Sequence, residues 1–248
     1  MRRVVAAWAV GVGLLSPVAI LCEEPPAIPV YHEPHHRQVF QYGPTRILDL
    51  QLPPGTTTWF HTHEAPILYI YLSSSPTRTQ ILGQEWSAPV SLQSLAPPTD
   101  HSPSLASPVV GSDTSYYVHP VTHRLENIGD RLTRSIVVLN ETRGDESGTT
   151  AETAGFKWKA ELINRWFRAY RQTLASGTSA GPHRHHAPVV LVQTSVGRGL
   201  ASGAARFELN EPGQWAFFDA GDTHEIRNTG DVPLEVVEVE LRQPKLKN

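Results

Sequence analysis

The sequence predicts an all-β protein made of two tandem antiparallel barrels, and three observations carry that reading. Its apolar residues fall in short segments rich in β-branched and aromatic side chains. Gly, Pro, Asn and Asp punctuate those segments, and one set of landmarks is given twice along the chain. Residues 67–72 (ILYIYL), 135–139 (SIVVL), 189–193 (VVLVQ), 215–218 (WAFF) and 234–241 (LEVVEVEL) are the clearest strands. The last partly alternates apolar and acidic residues, which predicts a half-buried strand. Residues 151–170 invite a helix, but their register with residues 38–52 argues for strands.

The duplication is explicit. Arg46, Leu52 and Gly55 fall in register with Arg168, Leu174 and Gly177, and five residues after each glycine comes His-x-His. The histidines are His61 and His63 in the first copy, His183 and His185 in the second; Ala-Pro follows both. Later, Thr122-His123 and Thr223-His224 are each followed, three residues on, by Asn-x-Gly-Asp. The copies differ mainly in residues 88–113, a stretch rich in Ser and Pro that reads as a long loop. This gives a first barrel over 38–142 and a second over 155–248. Linkers are expected at 23–37 and 143–154.

Composition narrows the function. Hydrophobic residues make up 40% of the 248 and charged residues 18%, enough apolar material for real cores. The formal net charge is −3 with no dense basic run, so a nucleic-acid-binding face has no support. Arg2 and Arg3 precede a short apolar run, 4–15, and Ser16-Pro17 breaks it before Cys22 and an acidic exit. Residues 1–22 therefore read as an export signal, with an uncleaved membrane anchor as the alternative and a periplasmic or extracellular destination. Cys22 is the single cysteine, so the exported part is expected to hold neither a disulfide nor a thiol nucleophile.

The two copies resemble the cupin superfamily, whose motifs are G(X)5HXH(X)3,4E(X)6G and G(X)5PXG(X)2H(X)3N. The opening of the first motif is complete at Gly55/His61/His63 and at Gly177/His183/His185. The second is nearly complete at Gly213, Gly221, His224 and Asn228, with Asp219 where proline is usual; the first copy keeps only His123 and Asn127. The resemblance covers almost everything after residue 22. It implies a bicupin of two double-stranded β-helix (jelly-roll) barrels.

Alternate residues of a strand share a face, so His61 pairs with His63 and His183 with His185. His123 or His224, from a distant strand, can complete a facial triad with positions left open for water or substrate. The resemblance thus implies a divalent transition metal (Fe, Zn, Mn, Ni or Cu) on His61/His63/His123, on His183/His185/His224, or on both. The motif's carboxylate is missing. Its places hold Ile67/Leu68 and Val189/Val190, and Glu64 and His186 point to the opposite face. Both centres therefore read as three-histidine sites that keep the metal's full charge and favour an anionic chelating ligand.

Tyr69, Tyr71 and Gln193 share strand parity with the histidines and are candidate pocket residues, although an inward Tyr is often a core aromatic. Asn127 and Asn228 are expected to hold turns. His32, His35 and His36 read as solvated linker residues, His101 as a loop residue and His186 as a rim residue. Three-histidine iron cupins that cleave diketones or oxidise thiols are the nearest functional analogues, which implies a dioxygenase-type enzyme on a small chelating substrate. Two alternatives stand beside it. One is a non-oxidative isomerase or lyase using Asp219 or Glu225; the other is a non-catalytic small-molecule or metal-binding protein, in either case with an oligomer possible.

Overall fold

The computed structural model describes residues 26–91, 109–147 and 157–244. Residues 1–25, with the expected export signal, and 92–108, with His101 and most of the expected loop, lie outside them.

The first barrel contains β1 (Ile28–Pro29), β2 (His36–Tyr42), β3 (Thr45–Leu52), β4 (His61–His63), β5 (Ile67–Ser73), β6 (Thr77–Ile81), β7 (Val110–Asp113), β8 (Val121–Asn127) and β9 (Thr133–Asn140). The second contains β10 (Ala160–Ile163), β11 (Phe167–Leu174), β12 (His183–Arg184), β13 (Val189–Gln193), β14 (Gly199–Ser202), β15 (Arg206–Leu209), β16 (Trp215–Phe218), β17 (Thr223–Asn228) and β18 (Leu234–Leu241). Each barrel is a five-stranded sheet opposed to a four-stranded one. The orders are β2-β3-β9-β5-β7 with β1-β4-β8-β6, and β10-β11-β18-β13-β16 with β12-β17-β14-β15. All pairings are antiparallel except β1 with β4.

The period-2 pattern explains how the barrels meet. On β3 and β9, Leu48, Leu50, Val137 and Leu139 face the first barrel's interior, whereas Ile47, Ile136 and Val138 face outward. Those outward residues pack in one core with Trp166, Phe167, Val190, Val237, Val239 and Leu241 of the second barrel. The two five-stranded sheets are thus covered on both faces by protein. Asn140 bridges the halves too, its amide donating to the carbonyls of Trp166 and Arg242.

The turns follow the repeat. Gly55 and Gly177 sit at φ of 70° and 69°, left-handed backbone that favours glycine, just before each His-x-His strand. Wholly buried Asn127 donates to the carbonyls of Leu52 and Arg131 and accepts from the Gly129 N–H; Asn228 does the same with Leu174, Val232 and Gly230.

Three expectations change. Residues 28–37, assigned above to a linker, belong to the first barrel: Ile28–Pro29 pairs with His61–Thr62, and His36 pairs with Leu50. Residues 110–113, assigned to the long loop, are a strand on β5. Strand β18 is buried on both faces, not half-buried, so Glu238 and Glu240 point into the barrel and not into water.

Candidate metal centres

The register of two strands assembles each cluster. His61 lies directly opposite His123 across β4 and β8, and His183 opposite His224 across β12 and β17. His63 and His185 follow two residues on, on the same face. In each barrel the three imidazoles offer ligand atoms that all lie within 4.8 Å of one another. Metal–nitrogen bonds of about 2 Å put ligand atoms roughly 3–4 Å apart, so such a group fits one ion.

Hydrogen bonds orient the rings for that role. His61 donates Nδ1–H to the Trp59 carbonyl at 2.8 Å, and His183 does the same to the Gly181 carbonyl at 2.9 Å. Fixing the proton on Nδ1 leaves Nε2 as the lone-pair donor, the arrangement usual for metal-bound histidine. The His61 Nε2 and His63 Nδ1 atoms are buried with no hydrogen-bond partner. Burial, then the charges of neighbouring His36 and His123, hold His61 down at about 2; burial, then His36, holds His123 at about 4. The first barrel therefore presents neutral imidazoles, the form that ligates.

The second barrel departs from the three-histidine expectation. Glu238, on β18, is wholly buried and lies where the imidazoles converge. Its Oε1 is 2.7 Å from His224 Nε2 and 3.2 Å from His183 Nε2, and 3.8 Å from His185 Nε2. A carboxylate is thus present, supplied by the last strand and not by the His-x-His segment. Burial pushes Glu238 up, but hydrogen bonds from His183, His185 and His224 win and hold it well below the ordinary range. Behind it, Glu240 accepts from His185 Nδ1 at 2.7 Å and from Arg168 Nη1 at 2.9 Å. Burial opposes the charge on His185, yet the bonds to Glu238 and Glu240 raise it to about 9. Arg168, a repeat landmark without a role in the sequence, neutralises that outer carboxylate. Its counterpart Arg46 pairs with Glu141 and lies over the Tyr31 ring.

The first barrel has its own addition. His36, assigned above to a solvated linker, is 4% exposed and its ring centroid lies 4.5 Å from that of His61. It donates Nδ1–H to Glu33 Oε2 at 2.7 Å. Glu33 is buried and also accepts the backbone N–H groups of His35, His36 and Trp59. Burial pushes the Glu33 carboxyl up, but these bonds and His36 hold it at about 2.

A cavity of about 330 Å³ opens beside this cluster, lined by His36, His61, His63 and His123 together with Tyr69, Tyr71, Tyr116 and Asp113. Tyr69 and Tyr71 stack with centroids 5.7 Å apart, and Tyr116 stacks on His63. Burial raises Tyr71 and Tyr116 to about 12, so both stay protonated hydrogen-bond donors. Gln193 is wholly buried and donates its amide to the Ser195 and Gly197 carbonyls, which ties it to a turn. Asp219 and Glu225 sit away from the histidines: Asp219 is exposed, and Glu225 pairs with Ser179 and Arg227. His186 is exposed.

No family model and no curated protein matches the chain. Solved structures do. AerE from Microcystis aeruginosa is 14% identical, with a TM-score of 0.58 over 82% of this chain and 90% of that one. The oxalate decarboxylase of Lactobacillus farciminis, solved as a formate complex, is 11% identical with a TM-score of 0.52, covering 80% of this chain and 77% of that one. The coconut allergen cocosin is 10% identical, also at 0.52, with the same coverage. At these identities the likeness concerns the fold alone, and that fold is the pair of tandem antiparallel β-barrels that the sequence resemblance implies.

Proposed function

We propose that this bicupin is an exported metalloprotein that holds a divalent transition metal in each barrel and transforms a small chelating substrate at the first. Export is supported by the apolar N-terminal segment behind Arg2-Arg3. The observation that carries the catalytic part is the difference between the two clusters. His183, His185, His224 and Glu238 form a four-donor set without a free position in tetrahedral geometry, whereas His61, His63 and His123 face a cavity of about 330 Å³. Open three-ligand sites are the reactive kind and filled four-ligand sites the structural kind.

The metal in the first barrel supplies Lewis acidity and, for a redox-active ion, a route for electrons to dioxygen. The chain's own residues orient it. Trp59 fixes the His61 tautomer, Tyr69, Tyr71 and Tyr116 bound the substrate's space, and buried apolar strands behind the histidines keep bulk water out. Among the described residues none that lines the cavity is a Cys or Lys, which favours metal-dependent oxidation, of dioxygenase type, over covalent catalysis.

A second reading has an observation of its own. His36 and Asp113 line the same cavity and can carry a proton, so a metal-assisted isomerase or lyase finds the base that the sequence alone does not reveal. Metal analysis of purified protein, followed by oxygen-electrode and solvent-deuterium exchange assays on chelating hydroxy- and keto-acids, tests both. Oxygen consumption supports oxidation, and exchange without it supports proton transfer. Stoichiometric metal with neither leaves a binding protein.

A further inference from the structure

We propose that His36, held by Glu33, is the group that recognises the ligand in the first barrel, and that the ligand is a monoanionic chelator bearing a hydroxyl, such as a 2-hydroxy acid. The inference rests on the first barrel's holding a metal, as proposed above, and adds which side chain reads the ligand and what it reads.

The geometry points to His36 in three ways. Its Nδ1–H is engaged by Glu33, itself anchored by three backbone N–H groups, so the ring cannot turn without breaking a buried network. A histidine whose Nδ1–H is donated presents Nε2 as an acceptor. No protein group bonds His36 Nε2 among the described residues, and the ring lines the cavity beside His61. His36 also lies outside the group of donors within mutual reach of one ion, which is His61, His63 and His123 alone. It is therefore placed to touch what sits on the metal rather than the metal.

The rest of the lining says what that ligand carries. Among the described residues the cavity is lined by no Lys or Arg; apart from the imidazoles its polar lining is Tyr, Ser and Thr hydroxyls, Tyr71 and Tyr116 among them, and the Asp113 carboxylate. A second anionic group on the ligand would find no cation and would face Asp113. A single carboxylate is satisfied by the metal's uncompensated charge, and a hydroxyl next to it completes the chelate and donates to His36. At about 330 Å³ the space lies at the small end of ligand pockets and suits a compact molecule.

The test uses full-length protein loaded with cobalt(II), whose visible spectrum reports coordination. Glycolate serves as the hydroxyl-bearing probe and pyruvate, a monoanionic 2-oxo acid, as the hydroxyl-free chelator, both titrated calorimetrically. In His36→Phe, glycolate should bind about tenfold more weakly, the size of one hydrogen bond, and pyruvate within about twofold of wild type. The ligand-free cobalt spectrum should be unchanged. Glu33→Gln keeps His36 but replaces one of the two acceptor oxygens that receive His36 and its neighbouring N–H groups with an amide donor, so the tautomer is held less firmly and glycolate should weaken in the same direction; this second variant guards against misfolding of the first. In His123→Ala, glycolate binding should disappear. A changed ligand-free spectrum in His36→Phe would make His36 a metal ligand and overturn the proposal. Equal losses for both probes, no loss for glycolate, or glycolate binding that survives His123→Ala would overturn it as well. Failure of wild type to take up cobalt is a different result, and it removes the metal reading of the barrel itself.

Discussion

Glu238 stands in the second barrel at the register that Val137 holds in the first. Val137 pairs with Leu48 on one side and Tyr69 on the other; Glu238 pairs with Tyr170 and Leu191. Two residues on, Leu139 is likewise matched by Glu240, since they pair with Arg46 and Arg168. A pair of apolar-to-acid differences on one strand therefore separates a four-donor centre from a three-donor one.

Glu238→Val imports the first barrel's residue. The variant's second barrel then matches the three-histidine first barrel, so total metal should stay near two equivalents while one of them is stripped by a chelator about tenfold or more readily than in wild type, read by elemental analysis. The metal-free variant should also lose about 3 kcal/mol in urea unfolding, because His183, His185 and His224 lose their common partner. Unchanged resistance of both equivalents to the chelator would show that Glu238 is not a ligand.

The metal-free protein should respond to pH in opposite ways from its two ends. His61 and His123, held at about 2 and about 4, bind protons more readily when unfolded, so their contribution is intact above about 6.5 and erodes as pH falls below it. His185, raised to about 9, contributes fully below about 6.5, and that contribution is lost as pH rises from there through 9. Melting temperature against pH should therefore peak near neutrality and fall on both sides. A plateau between pH 6.5 and 9 would place the His185–Glu240 pair elsewhere or leave it unformed.

Asn127→Ala and Asn228→Ala each strand two buried carbonyls and one N–H. Each should cost about 3 kcal/mol in chemical denaturation. A loss below about 1 kcal/mol would mean that water replaces the amide at that turn.

Metal binding should protect the fold. At free metal a thousandfold above Kd, linkage adds about 4 kcal/mol, so a chelator should lower the melting temperature by several degrees. A His183→Ala/His185→Ala protein should keep only the part of that shift contributed by the first barrel's metal.

The fold and the two clusters of three histidines were legible in the sequence because their signals are local. Gly-x5-His-x-His fixes a turn and two same-facing imidazoles, and Thr-His-x3-Asn-x-Gly-Asp fixes the strand and turn that complete the set. Glu238 was hidden by a one-dimensional ambiguity. In LEVVEVEL the acids alternate with valines, and alternation alone does not say which face meets water. Only the first barrel's five-stranded sheet, packed against Val237, Val239 and Leu241, turns the acidic side inward. His36 was hidden by its company: Pro34 and two further histidines read as linker, and its burial depends on Glu33, whose partners include Trp59 far along the chain.

The core shared by Phe167, Val190 and Val239 with Ile47, Leu68 and Val138 has a consequence for how the halves live and die. Neither barrel can open that face without exposing the other's. The chain should then unfold as one unit, and a small molecule that occupies only the first barrel should slow proteolysis of the second.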